Sequence, residues 1–162
     1  MQIIEITKND FELFWPAFKE VVYAQETYAF DPNIDFESAY NLWCSSPQKT
    51  YVIKDDGAIL GSYYIKANAA GPSSHISNCG YMVNPKSRGR GIARKLCVHS
   101  QQVAAELGYS AMQFNSVVST NEIAINLWKK LGYKIIGTIP KAYNHKKLGY
   151  VDSFIMYKQL RT

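Results

Sequence analysis

What most constrains the fold is a change of hydrophobic period in the middle of the chain. Residues Ile76 to Val83 read as a strand, which Pro85 ends. From about Arg88 to Leu107 the apolar residues Ile92, Leu96, Val103 and Leu107 share one helical face, and Gly108 stops that helix. Between the two periods stands Arg88-Gly89-Arg90-Gly91. A strand that runs through a short glycine loop straight into a helix lays that helix on its own sheet, so a helix bundle is excluded.

The flanking segments extend the pattern. Ile3 to Thr7 alternates as a half-buried strand does, and Asn9 or Asp10 is expected to cap a helix carrying Phe11, Phe14, Trp15, Phe18 and Val22, with Pro16 near its first turn. Asp35 is a second cap, ahead of Phe36, Ala39, Tyr40 and Trp43. Thr50 to Lys54 and Ile59 to Ala67 are β-rich runs joined by Asp55-Asp56-Gly57, a strong hairpin signal. After a loop at 69–74 and the central strand and helix, Ala111 to Asn115 reads as a short strand. Ser119-Thr120-Asn121-Glu122 matches a capping box, opening a helix expected to turn Ile123, Ala124, Leu127, Trp128 and Leu131 inward and to end at Gly132. Strands at Tyr133 to Gly137 and Tyr150 to Tyr157 follow. The order β-α-α-β-β-β-α-β-α-β-β predicts an α/β (α+β) fold with a mixed, mostly antiparallel sheet of about six to seven strands flanked by about four helices. With no repeat or Pro/Gly/Ser-rich linker, residues 1–162 are expected to form a single domain.

Charge narrows the partner. The net charge is +5, yet residues 1–56 carry 4 basic and 10 acidic side chains, and the rest carries 14 basic and 3 acidic. Lys86, Arg88, Arg90, Arg94 and Lys95 crowd into ten residues with no acid among them. A loop with two glycines, leading into a helix N-terminus, aims backbone N–H groups one way with no Cβ in front of them. Such a loop is built to hold phosphate oxygens. Nucleic acid, a membrane surface and a phosphorylated cofactor all satisfy the charge alone. There is no G-x-x-x-x-G-K-[ST], and the G-x-G lacks the third glycine of a dinucleotide fingerprint. Cys44, Cys79 and Cys97 are far apart and form no CxxC, so neither a disulfide framework nor a metal site is expected, and Cys79 and Cys97 read as core thiols. No apolar run is long enough to span a membrane, and Met1 to Ile6 lacks the features of a secretory signal. The expected setting is cytoplasmic.

Arg88-Gly89-Arg90-Gly91-Ile92-Ala93 resembles motif A, [QR]-x-x-G-x-[GA], of the GCN5-related N-acetyltransferase superfamily. Asn121, Ala124, Leu127, Trp128, Leu131, Gly132 and Tyr133 follow that family's N-x-x-A-x-x-[LF]-Y-x-x-x-G-[FY], and the likeness covers roughly residues 50–160 in element order. The resemblance implies acetyl-coenzyme A as cosubstrate and no metal. It implies that the backbone of Met82 and Val83 bonds the pantetheine arm, and that Arg88, Gly89, Arg90, Gly91, Ile92, Ala93 and Arg94 bind the pyrophosphate. Asn121 would reach the pantetheine or thioester region, and Thr27 and Tyr28 would sit on a lid over the acceptor. Read as residues alone, the arginines also fit a solvated helix start and Asn121 a local cap.

Trp128 stands where many members carry a tyrosine that protonates the departing thiolate, and an indole cannot act as a general acid. Tyr133 and Tyr143 are possible substitutes, or the thiolate leaves unaided. The strand before motif A carries no glutamate, and His75, Glu26, Asp31 and Asp152 are titratable alternatives, none privileged by sequence. Positioning is therefore expected to matter more than a dedicated base. Asn78 and Asn115 are expected to flank the splay between two parallel strands, either satisfying local backbone or holding a small substrate's carboxylate and amine. The stretches Asn78-Cys79-Gly80-Tyr81 and Phe114 to Asn121 are also similar to fungal acetyltransferases acting on azetidine-2-carboxylate and proline-type imino acids.

The implied function is direct acetyl transfer to the amine of a small molecule, an amino or imino acid, with no nucleic-acid or membrane partner. Protein or peptide amines are the alternative acceptors. From other classes, a non-catalytic acyl-coenzyme A-binding module and a nucleic-acid-binding module stay open, as does a homodimer.

Overall fold

The Asp55-Asp56-Gly57 signal folds as expected: Asp56 and Gly57 take left-handed φ values of 49° and 79°, which a two-residue hairpin turn requires. It joins β2 (Lys49–Asp55) to β3 (Ala58–Ala67). In the computed structural model, which describes residues 1–161, β1 (Gln2–Glu5), α1 (Lys8–Tyr23) and α2 (Phe36–Tyr40) precede that hairpin. It is followed by β4 (Ile76–Val83), α3 (Ile92–Glu106), β5 (Ala111–Val118), α4 (Glu122–Lys130), β6 (Lys134–His145) and β7 (Gly149–Gln159). The element order and the mixed, mostly antiparallel sheet match the expectation.

The sheet has 7 strands in the order β1-β2-β3-β4-β5-β7-β6, and β4–β5 is its parallel pair. Alternation along β3 divides the core. Tyr63 and Ile65 pack with Ile92, Leu96 and Trp128, whereas Tyr64 between them stacks edge-on against Trp43, 5.0 Å between ring centroids, beside Phe11, Phe14 and Phe18. Gly61 makes the α3 side possible, because a Cβ there would lie 2.9 Å from the Met82 carbonyl oxygen and 3.0 Å from Ile92. Cys79 and Cys97 are buried in the first of these clusters.

Several local expectations are corrected. Thr7, not Asn9 or Asp10, caps α1: its hydroxyl accepts from the Asp10 amide, and Asp10 accepts from the Thr7 amide. Pro16 lies well inside α1, on its exposed side beside Glu12, where water can satisfy the carbonyl that loses its i+4 donor. Asn121 itself caps α4, with its side chain accepting from Ala124 N, and the Ser119–Glu122 box does not form. The buried face of α4 centres on Ile125 and Trp128, which leaves Ile123 86% exposed. Strands β5 and β6 outrun their expected ends because register shifts at Phe114/Val117, Ile135/Gly137 and Ile139/Tyr143 break the alternation that marks a strand.

Candidate active site

The site begins where the sheet stops being continuous. β4 and β5 pair only at Ile76↔Ala111 and Ser77↔Met112, then diverge. Asn68 N bonds Ile76 O at 2.8 Å and Asn84 N bonds Leu60 O at 2.9 Å, so even-numbered residues of β4 turn their backbone toward β3. Cys79, Tyr81 and Val83 therefore present N–H and C=O to the gap. Of the two positions expected to meet a pantetheine arm, Val83 faces the gap and Met82 faces β3, its side chain buried against α1.

At the end of β4 the chain turns through Asn84, whose side chain accepts from Lys86 N at 3.0 Å, into the glycine–arginine loop. Gly89 and Gly91 have φ values of 78° and 73°, and a Cβ built on either meets nothing within 4 Å. Left-handed backbone explains the glycines, and the space above them is open. Gly91 is the N-cap of α3, makes no side-chain cap bond, and no acid stands in the first turn. The amides of Ile92, Ala93 and Arg94 thus have no intrahelical partner. Arg88 lines a cleft beside Pro85, while Arg90 lies 3.4 Å from Asp55. Of the other motif residues, Ile92 turns its side chain into the core and Arg94 is exposed in the first turn of α3.

The opposite wall comes from the segment after α1. The Tyr28 hydroxyl donates to the Tyr81 carbonyl on the gap side of β4, the Tyr143 hydroxyl donates to Tyr28 O at 3.0 Å, and Lys146 N donates to Gln25 O at 3.1 Å. Burial, reinforced by the neighbouring Tyr64, pushes Tyr28 well above the usual phenol range and keeps it a neutral donor. Glu26 and Thr27, held by these contacts, line two adjoining clefts. One, of about 170 Å³, reaches Arg88; the other, of about 100 Å³, reaches Thr120, Asn121 and His145. Asn121 caps α4 through its Oδ1, and the residue also lines the second cleft.

The remaining candidates separate. Buried Asn78 donates to Gln113 O at 2.9 Å, and its Oδ1 accepts from the Tyr64 hydroxyl at 3.5 Å. Exposed Asn115 donates to Asn68 at 2.7 Å and accepts from Gln113 at 3.0 Å. Both are tied to Gln113 at the splay, and neither lines the two clefts. Trp128 is packed against Tyr81, Phe114 and Tyr133. Tyr133 points its hydroxyl at Met112 Sδ inside the core, and burial pushes it above the phenol range. Among the titratable alternatives, His75 is exposed at the head of β4, Asp31 accepts from Asn33 N and Asp152 from Lys141 N. Only Glu26 of the four faces the clefts.

His145 was not expected here. It is buried at the end of β6, and its Nδ1 accepts from Lys147 N at 3.1 Å and Leu148 N at 3.2 Å. Among the described residues no group of three His, Cys, Asp or Glu side chains could hold a metal ion, and no helix is long and apolar enough to cross a membrane.

The sequence matches the acetyltransferase (GNAT) family over residues 9–133. It is 33% identical over 153 residues to the N-acetyltransferase aca1 of Schizosaccharomyces pombe, covering 94% of this chain and 68% of that protein. A GCN5-related N-acetyltransferase from Kribbella flavida is 40% identical and superimposes with a TM-score of 0.92 over 98% of this chain and 96% of its own. The structure of yncA, a putative acetyltransferase from Salmonella typhimurium with its cofactor acetyl-CoA, shares the fold at a TM-score of 0.83 and 20% identity, over 100% of this chain and 95% of its own.

Proposed function

We propose, on the premise that this chain belongs to the acetyltransferase (GNAT) family and is an N-acetyltransferase, that residues 1–162 act as one domain transferring acetyl from acetyl-coenzyme A directly to the amine of a small amino or imino acid. The observation that carries this reading is the open N-terminus of α3 beside the β4–β5 gap. Three unpartnered amides, two left-handed glycines with free space above them, and Arg88 suit the oxygens of a pyrophosphate.

Acetyl-coenzyme A supplies a thioester whose C–S bond breaks as the acceptor nitrogen takes the acetyl group, releasing the thiolate and the ammonium proton. The chain's own part is to bind and orient. Val83 offers its N–H and C=O to the amides of an extended arm as a neighbouring strand would. The Tyr81 N–H, on the same side, is a donor for a thioester carbonyl oxygen. Asn78 and Asn115 act as positioning residues through Gln113, fixing how far the strands part. The Tyr28 hydroxyl, at the Tyr81 carbonyl, stands on the gap side of β4 where the thioester is proposed to lie, and Trp128 is left to packing. A thiol is far more acidic than an alcohol or an amine, with cysteine's pKa about 8.5, so a thiolate is a competent leaving group.

The test is a thiol-release screen with acetyl-coenzyme A and free amino acids, imino acids, polyamines and N-terminal peptides, preceded by calorimetric titration of the thioester. Saturable binding and release confined to amino or imino acids are expected. Release with peptides alone overturns the acceptor class, and absence of binding at millimolar thioester overturns the whole reading.

A further inference from the structure

The smaller cleft has a composition that the acetyl-transfer reading does not use. It is lined by one acid, Glu26, and by Thr27, Thr120, Asn121 and His145, with no lysine or arginine among them. Lys146, next in sequence to His145, is turned away: its ammonium lies 4.9 Å from the Tyr23 ring centroid. The state of the histidine follows from its bonds. Nδ1 accepts two backbone N–H groups, so in the neutral ring the proton is on Nε2. Among the described residues Nε2 has no hydrogen-bond partner and no fully buried side-chain nitrogen lacks one, so Nε2 keeps some contact with solvent. His145 is 8% exposed and lines this cleft, so Nε2–H is the ring donor left for an occupant.

One acid among neutral hydroxyl, amide and imidazole groups gives the cleft a dipolar lining. A polyamine would leave the donors unanswered, and a peptide N-terminus has no carboxylate beside its amine. The cleft is open to solvent and, at about 100 Å³, has room for the amine and carboxylate of a small acceptor. We propose that this cleft reads the acceptor as a zwitterion, with Glu26 receiving the amine end and its proton, and the His145 Nε2–H with the Thr27 and Thr120 hydroxyls receiving an α-carboxylate. The inference rests on the acetyl-transfer reading and makes His145 a specificity-determining residue within it. The histidine donates; it is not the base, because Nδ1 is occupied as an acceptor and in the neutral ring Nε2 already carries the proton.

The experiment crosses enzyme variants with substrate pairs. Coenzyme A release is measured for L-alanine against L-alaninamide and L-proline against L-prolinamide, with the wild-type chain, His145→Phe and Thr120→Val. The amides carry the less basic, more readily neutral amine, so a preference for the acids is a mark of carboxylate recognition. In the wild type kcat/KM is expected to favour the acid of an accepted pair by about ten- to a hundredfold, the worth of a hydrogen bond to a charged group. His145→Phe should collapse that ratio by about tenfold or more, through KM for the acid, while kcat/KM for the amide stays within about threefold. Thr120→Val should move the ratio the same way by less. A merely structural histidine would depress acid and amide together, and that result overturns the proposal. A wild-type ratio near one overturns it without any variant, leaving acetyl transfer intact. No release from any pair, despite thioester binding, overturns this inference and the acceptor class together.

Discussion

Helices α1 and α3 are near twins in length, 16 and 15 residues, pack on opposite faces of the same sheet, and begin in opposite ways. α1 closes its first turn with its own side chains: Thr7 and Asp10 satisfy each other's amides, and Lys54 pairs with the Asp10 carboxylate. α3 begins on a left-handed glycine, with no side-chain cap, no acid, and a cluster of cations. Asp35 caps α2 and Asn121 caps α4. Every helix starts with orphan amides, and this chain seals three of its four starts from within. The fourth is left for something brought from outside.

The comparison breaks most sharply at Gly91. Gly91→Asp gives α3 the kind of start α1 has, with a carboxylate where phosphate oxygens belong. Asp tolerates left-handed backbone better than most residues, so the fold should hold. Acetyl-coenzyme A affinity by calorimetry should fall by on the order of a hundredfold or more, about 2.7 kcal/mol. Unchanged affinity would show that the open end is not the binding element.

The converse change belongs at Asp10. Asp10→Asn should cost about 2 kcal/mol in urea unfolding near neutral pH, with acetyl-coenzyme A affinity unmoved. Its pH dependence has a defined sign. Burial alone would raise this carboxyl, but bonds from the Lys54 ammonium and from the Thr7 amide and hydroxyl outweigh it and hold Asp10 below its ordinary 3.8. A depressed carboxylate stabilises above its unfolded pKa of about 3.9 and loses that contribution as pH falls through its lower folded value. The gap between wild type and Asp10→Asn should therefore be full from about pH 5 upward and shrink as pH drops below about 4.

Thr7→Ala sharpens the same contrast at a smaller scale, about 1 kcal/mol of stability with binding intact. Smallest of all, Arg90→Ala should alter acetyl-coenzyme A affinity by less than about threefold, since its guanidinium is exposed and shared with Asp55.

What could be read from the sequence was whatever a short window contains. The hairpin turn, the strand into the glycine–arginine loop, and the Asp35 cap each depend on neighbours along the chain. The Thr7 cap was misplaced because Thr7, Asn9 and Asp10 are all competent capping types within four residues. The glycine–arginine loop at the start of α3 was legible for the same local reason, since one stretch of chain builds it. The smaller cleft was legible only in pieces, as Glu26, Thr27 and Asn121, and not as a whole. Glu26, Thr120 and His145 meet because three separate connections converge, and β6 carries His145 there through two register shifts that hide the strand. Gly61 gave no local sign of its purpose either, because the atoms that demand it belong to β4 and α3.

The two-rung ladder between β4 and β5 has a mechanical meaning as well. β1–β4 and β5–β7 are each laced by long antiparallel ladders, so the sheet is two stiff plates meeting along a short seam. Thermal motion concentrates where restraints are fewest, and here that is the short seam between β4 and β5. An arm lying in the gap and bonded to Val83 would supply missing rungs, so filling the site should also damp the relative twist of the plates and delay their separation on heating.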